Sequence, residues 1–130
     1  MEYELADFDL KRLIGQQLTS VWVATNTISL YFLKYPLSKT SKPKDSVTIR
    51  INHGYEITIG SALAIFRLED SIEQFRNGAG AILPLIEHRV CSAISSPEGD
   101  VDLNFVKGQS LRILYGDDGF EGIHLFADEK

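Results

Sequence analysis

Apolar residues alternate with polar ones along most of this chain, the period-2 signature of strands with one face buried and the other in water. Eight such stretches stand out: Gln17–Ala24, Thr27–Leu33, Ser46–Asn52, Tyr55–Gly60, Arg89–Ser95, Val101–Val106, Ser110–Tyr115 and Phe120–Phe126. Turn chemistry separates most of them. His53-Gly54, Lys107-Gly108 and Gly116-Asp117-Asp118-Gly119 offer the positive φ that tight hairpins need, and Pro97-Glu98-Gly99-Asp100 is a turn by the same chemistry. Helical spacing is confined to short pieces. Ser71-x-x-Gln74 has the spacing of a capping box, and Ile72, Phe75 and Ala79 share a face, so a short helix is expected over Ser71–Asn77. Gly78 and Gly80 weaken its continuation, and a turn is expected at Ile82–Ile86 around Pro84. A similar short helix is expected at Asp9–Ile14.

The pattern also repeats. Leu13-Ile14-x-x-x-Leu18-x-x-Val21 is matched by Leu85-Ile86-x-x-x-Val90-x-x-Ala93. Ile49-x-Ile51-x-x-Gly54-x-x-Ile57-x-Ile59 returns as Leu103-x-Phe105-x-x-Gly108-x-x-Leu111-x-Ile113, although Ile28-x-Leu30-x-Phe32 competes with Ile49-x-Ile51 for the match to the strand at Val101. The expectation is one α+β, mostly β domain over residues 1–130. Two similar strand units, residues 9–60 and 82–126, would form a curved antiparallel sheet or sandwich with a short helix between them, the Gly54 and Gly108 hairpins occupying equivalent positions. The first unit carries an insertion, Lys34–Asp45, whose lysines, serines and prolines read as an exposed loop.

Composition changes this picture little. In 130 residues, 44% hydrophobic and 24% charged is a globular balance, and a chain of this length buries enough surface to fold without a disulfide or a structural metal. The single cysteine, Cys91, excludes an internal disulfide and fits a reducing compartment. The acidic start, Met1 to Asp7, lacks the basic and apolar regions of a signal peptide, and no stretch is long enough to span a membrane, so the cytoplasm is the expected location.

Charge placement says more. The net charge is −5, and residues 91–130 account for all of it, with Lys107, Arg112 and Lys130 against Glu98, Asp100, Asp102, Asp117, Asp118, Glu121, Asp128 and Glu129. Such a surface repels nucleic acid and draws a basic partner. Residues 34–44 run the other way, with four lysines and no acid. Without a helix or a platform of stacking aromatics, they read as a flexible basic loop rather than a nucleic-acid patch.

Catalytic sets are missing from the sequence. His53, His88 and His124 fall in a turn, before a strand and in the last strand, with no HExxH and no second cysteine for a zinc site. Asp100-x-Asp102 puts two carboxylates on one strand face, a spacing that suits a metal, but alternation with Val101, Leu103 and Phe105 makes them solvent-face acids. Gly78-x-Gly80 lacks the strand before it and the lysine after it that a phosphate loop requires. Neither catalysis nor a cofactor is expected. Alternation in Val21-Trp22-Val23 sets Trp22 apart from its neighbours and beside Tyr31, where it is an interface anchor if the face is open and core if the face is covered.

Leu13–Val21, Val101–Ile113 and Gly119–Leu125 resemble a widespread family of small bacterial proteins of unknown function, and the similarity covers most of the chain. Proteins of this look recur as immunity proteins beside polymorphic toxins, including those of contact-dependent growth inhibition. The resemblance implies a cytoplasmic antidote that binds the toxin domain of its own system, a nuclease in many cases, and blocks its active site. Here the aromatic-Glu-x-aromatic ending of that family stands as Phe120-Glu121-Gly122-Ile123, and Lys34–Asp45 lengthens the first half. Because such proteins diversify where they meet the toxin, no binding residues carry over. The residues expected to face the partner are therefore read from charge and exposure: Asp100, Asp102, Asp117, Asp118, Glu121, Trp22 and Tyr31. A small-ligand carrier built on the duplicated sheet and an uncharacterised hydrolase using His88 or His124 are the alternatives.

Overall fold

Alternation decides which side of each strand meets the core, and the computed structural model, which describes residues 2–3, 8–34, 45–116 and 122–127, follows it closely. The strands are β1 (Glu2–Tyr3), β2 (Gln17–Val23), β3 (Ile28–Lys34), β4 (Asp45–Ile51), β5 (Gly54–Ile59), β6 (Ala62–Arg67), β7 (Val90–Ser95), β8 (Val101–Phe105), β9 (Ser110–Leu114) and β10 (Ile123–Ala127). They form two antiparallel five-stranded sheets, ordered β1-β10-β4-β3-β2 and β6-β5-β9-β8-β7. Ile28, Leu30 and Phe32 of β3, Val47, Ile49 and Ile51 of β4, and Val101, Leu103 and Phe105 of β8 all point inward and are fully or almost fully buried. With Leu111, Ile113, Ile123 and Leu125 they make one contiguous core drawn from both sheets.

The helical pieces are short, as their sequences dictate. Helix α1 (Ile72–Asn77) starts at Ser71, whose hydroxyl accepts from the Gln74 N–H at 3.1 Å, and buries Phe75. Beyond it the chain tightens into 3-10 turns at Gly78–Ala81 and Leu83–Leu85, the latter with Pro84 at its start. The segment expected as a helix at Asp9–Ile14 is a 3-10 turn over Leu10–Leu13, capped by the Asp9 carboxylate on the Lys11 N–H.

The two matching Leu-Ile segments meet. Gly15 N donates to Val90 O at 2.8 Å and Glu87 N to Leu18 O at 2.7 Å. Leu18 N donates to His88 O at 3.1 Å and Val90 N to Gln16 O at 2.9 Å, and Gln17 and Arg89 form a bridge between the two sheets. These bonds interchange under a local two-fold, and the backbone agrees: Gly15 and Glu87 both have positive φ, and both β2 and β7 shift register after their first buried residue, Leu18 and Val90. The strand orders then relate β2, β3 and β4 to β7, β8 and β9, while β5 and β10 each cross into the opposite sheet.

This corrects the hairpin reading at Gly54. Spacing alone does not distinguish a chain that folds back from one that turns a corner. Here β4 pairs with β3 and β10, β5 pairs with β6 and β9, and the chain changes sheets at Gly54, whose φ is not positive. Gly108 does sit in a hairpin, between β8 and β9, with φ of +93°. The partner of β8 in the repeat is accordingly β3, so the competing match of Ile28-x-Leu30-x-Phe32 to Val101-x-Leu103-x-Phe105 is the structural one. The glycine that closes the hairpin from β5 is Gly60. Lys34 and Asp45 pair across the ends of β3 and β4, and the insertion between them lies outside the described residues.

Candidate functional site

Each sheet shows water the half of its residues that alternation turns away from the core, and the two outer faces differ in chemistry. On the face built from β2, β3, β4 and β10, the pairing registers align Ser20, Tyr31, Thr48 and Phe126 in one row and Trp22, Ser29, Arg50 and His124 in the next. Trp22 is 65% exposed and stands edge-on to Tyr31, ring centroids 5.8 Å apart. The bulge after Leu18 helps set Tyr31, whose carbonyl accepts from the Thr19 hydroxyl at 3.0 Å. Across the sheet the Arg50 guanidinium lies over the Phe126 ring at 4.9 Å, and His124 stacks on the same ring. His124 Nδ1 meets Glu2 Oε2 at 2.7 Å. The result is an aromatic surface with the Arg50 guanidinium set into it.

The other outer face is a shallow groove of about 420 Å³ lined by Glu56, Thr58, Asp102, Asn104, Ser110 and Arg112, with Leu63 at one edge and Ile94 at the other. Arg112 Nε donates to Asp102 Oδ1 at 2.6 Å. The hydrogen bond from Asp102, then its charge, hold the guanidinium above its ordinary pKa. Both partners are substantially exposed, so solvent screens the pair and its contribution to stability is small.

The acidic residues expected to form one partner-facing surface therefore have separate roles where they are described. Asp102 faces water but is neutralised by Arg112. Asp100 is half-buried just before β8, where its carboxylate accepts from the Tyr115 N–H at 2.9 Å and its own N–H donates to the Ser96 hydroxyl. Its carboxylate ties the 96–100 turn to the end of β9, so Asp100 braces a turn rather than standing as the free solvent-face acid expected from alternation. Asp117, Asp118 and Glu121 lie outside the described residues. Trp22 and Tyr31 are the two expected residues that the structure brings together.

Arg50, Phe126, Glu56 and Arg112 were not singled out as site residues from sequence, and His124 was weighed only as a catalytic histidine. A signal was present: Thr48-Ile49-Arg50-Ile51 and Ser110-Leu111-Arg112-Ile113 are the same strand written twice, each placing an arginine outward. Among the described residues no group of three or more His, Cys, Asp or Glu is arranged to hold a metal, and no helix is long and apolar enough to cross a membrane. No family model matches the chain, and neither a curated protein nor a solved structure matches it.

Proposed function

We propose that this protein acts by stoichiometric binding of another protein, as the immunity partner that neutralises a bacterial toxin domain, with the face around Trp22 and Tyr31 as the contact centre. The observation that carries the binding reading is the exposed Trp22 ring braced by Tyr31, in a sheet face that also presents Arg50 and Phe126. Tryptophan, tyrosine and arginine dominate binding energy at interfaces, because they bury large rigid surfaces at low entropic cost. A sheet face of this kind holds its side chains in fixed rows, so little ordering is left to be done on binding. The toxin as partner follows from the family resemblance, and a nuclease fits the acidic balance of the chain, since nuclease clefts are basic. Blocking the cleft requires no chemistry from the immunity protein itself.

The test is titration of the purified protein against the toxin domain encoded beside it, reading affinity by calorimetry and residual toxin activity in the same mixtures. Trp22→Ala is expected to weaken binding by roughly 30-fold or more, the equivalent of a hot-spot loss of about 2 kcal/mol, with an unchanged melting temperature. Wild-type affinity in both Trp22→Ala and Tyr31→Ala removes this face from the interface, and absence of any complex refutes the immunity reading.

A further inference from the structure

Strands at sheet edges expose unpaired N–H and C=O groups, and proteins that must stay single blunt them with bulges, charges, prolines or short length. Three of the four edges here are blunted. Strands β2 and β7 carry bulges and are tied to each other through Gln17 and Arg89, and β1 has two residues. The fourth edge, β6, is different. It runs Ala62-Leu63-Ala64-Ile65-Phe66-Arg67, pairs with β5 in unbroken register, and has neither charge nor proline before Arg67. Among the described residues, no backbone hydrogen bond outside its own sheet reaches Ala62–Phe66. Its inward residues Ala64 and Phe66 pack on the core, while Leu63 and Ile65 face water at 58% and 44% exposure. A single exposed apolar side chain needs no explanation; two at successive outward positions of an unblunted edge do.

We propose that β6 pairs antiparallel with β6 of a second copy of this chain, about a two-fold axis at Ala64, so that the two sheets continue edge to edge. The segment is complementary to itself in this register. Leu63 faces Ile65 of the second copy on the outer side, and Ala62 faces Phe66 on the inner side, small against large. Arg67 falls opposite Ser61, so no like charges meet across the axis, whereas like charges directly opposite would disfavour the pair. Pairing satisfies the edge backbone and covers the apolar outward pair in one step. A strand from another protein would satisfy the backbone as well, whereas a second copy brings the side-chain match with its own sequence. This association uses neither Trp22 nor Tyr31, and it stands apart from toxin binding.

Sedimentation velocity over a concentration series is expected to show a reversible dimer, and Ile65→Lys is expected to give a monomer with unaltered circular dichroism. A second variant guards against misfolding. Opposed Cα atoms in antiparallel strands are about 4.5–5.5 Å apart, within the span a disulfide bridges. Ala64→Cys in a Cys91→Ser background should therefore crosslink to a dimer on mild oxidation, whereas Ala62→Cys in the same background should not. A wild-type chain that sediments as a monomer throughout overturns the proposal, as does a dimer that survives Ile65→Lys or that Ala64→Cys fails to trap.

Discussion

Tyr55 brings a polar group into the core. It is fully buried, its ring centroid 5.3 Å from that of Phe66 and 5.6 Å from that of Phe75, and its hydroxyl donates to the Phe75 carbonyl at 2.7 Å. That bond fixes the end of α1 to β5. Tyr55→Phe keeps the ring and orphans the carbonyl, and is expected to cost about 1–3 kcal/mol in urea denaturation at neutral pH. Burial also pushes the Tyr55 phenol well above its ordinary pKa of 10.0, since the phenolate would lose its hydration. The sign follows from linkage. The contribution is fully present below the unfolded-state pKa; above it the unfolded chain releases a proton that the folded chain keeps, and stability falls by up to about 1.4 kcal/mol per pH unit. The gap between wild type and Tyr55→Phe should therefore narrow above about pH 10; a gap constant through that range would show that Tyr55 ionises equally in both states. In the sequence Tyr55 is legible as a strand residue, but its bond partner, twenty residues away, is not.

At the scale of elements, the sheet changes at Gly54 and Gly122 define the architecture. Both are places where two backbones come too close for a side chain. A Cβ on Gly54 would lie 2.8 Å from the Phe66 carbonyl oxygen, and one on Gly122 would collide with the carbonyls of Tyr115 and Leu114. Backbone atoms cannot rotate away as a side chain can. Gly122→Ala is expected to destabilise by at least the roughly 1–3 kcal/mol typical of overpacking. Gly60→Ala, in open space at φ of +64°, meets only the left-handed backbone penalty of about 1–2 kcal/mol. Thermal melts should rank Gly122→Ala below Gly60→Ala, and the reverse order would mean that the crossing yields more easily than the turn. Seven strands could be read from alternation to within a residue at each end, and the eighth, read from Phe120, begins at Ile123, whereas β1 and β6 were not read. Ala62–Phe66 is apolar on both faces, because one side packs on the core and the other stands at an open edge, and such a segment carries no period-2 signal.

For the whole molecule, a net charge of −5 sets the long-range field through which a basic partner would approach. If the partner is a toxin with a basic cleft, its association rate should fall steeply with added salt while dissociation changes little, because screening acts on encounter rather than on the closed interface. Stopped-flow measurements across ionic strengths check this; a salt-independent association rate would leave the acidic balance without a role in binding. By itself the sequence determined eight of the ten described strands, their buried faces, the short capped helix and the repeated Leu-Ile starts, since each depends on neighbours within a few residues. It also set Trp22 on the strand face opposite Val21 and Val23, and left open whether that face is covered. Only the tertiary structure decided that β5 and β10 cross between sheets, that Trp22 is exposed beside Tyr31 and Arg50 stands over Phe126, and that Asp102 is paired and Asp100 engaged. The reason is physical: alternation fixes which side of a strand is buried, but pairing partners are chosen by closure of the whole core, which no local window contains.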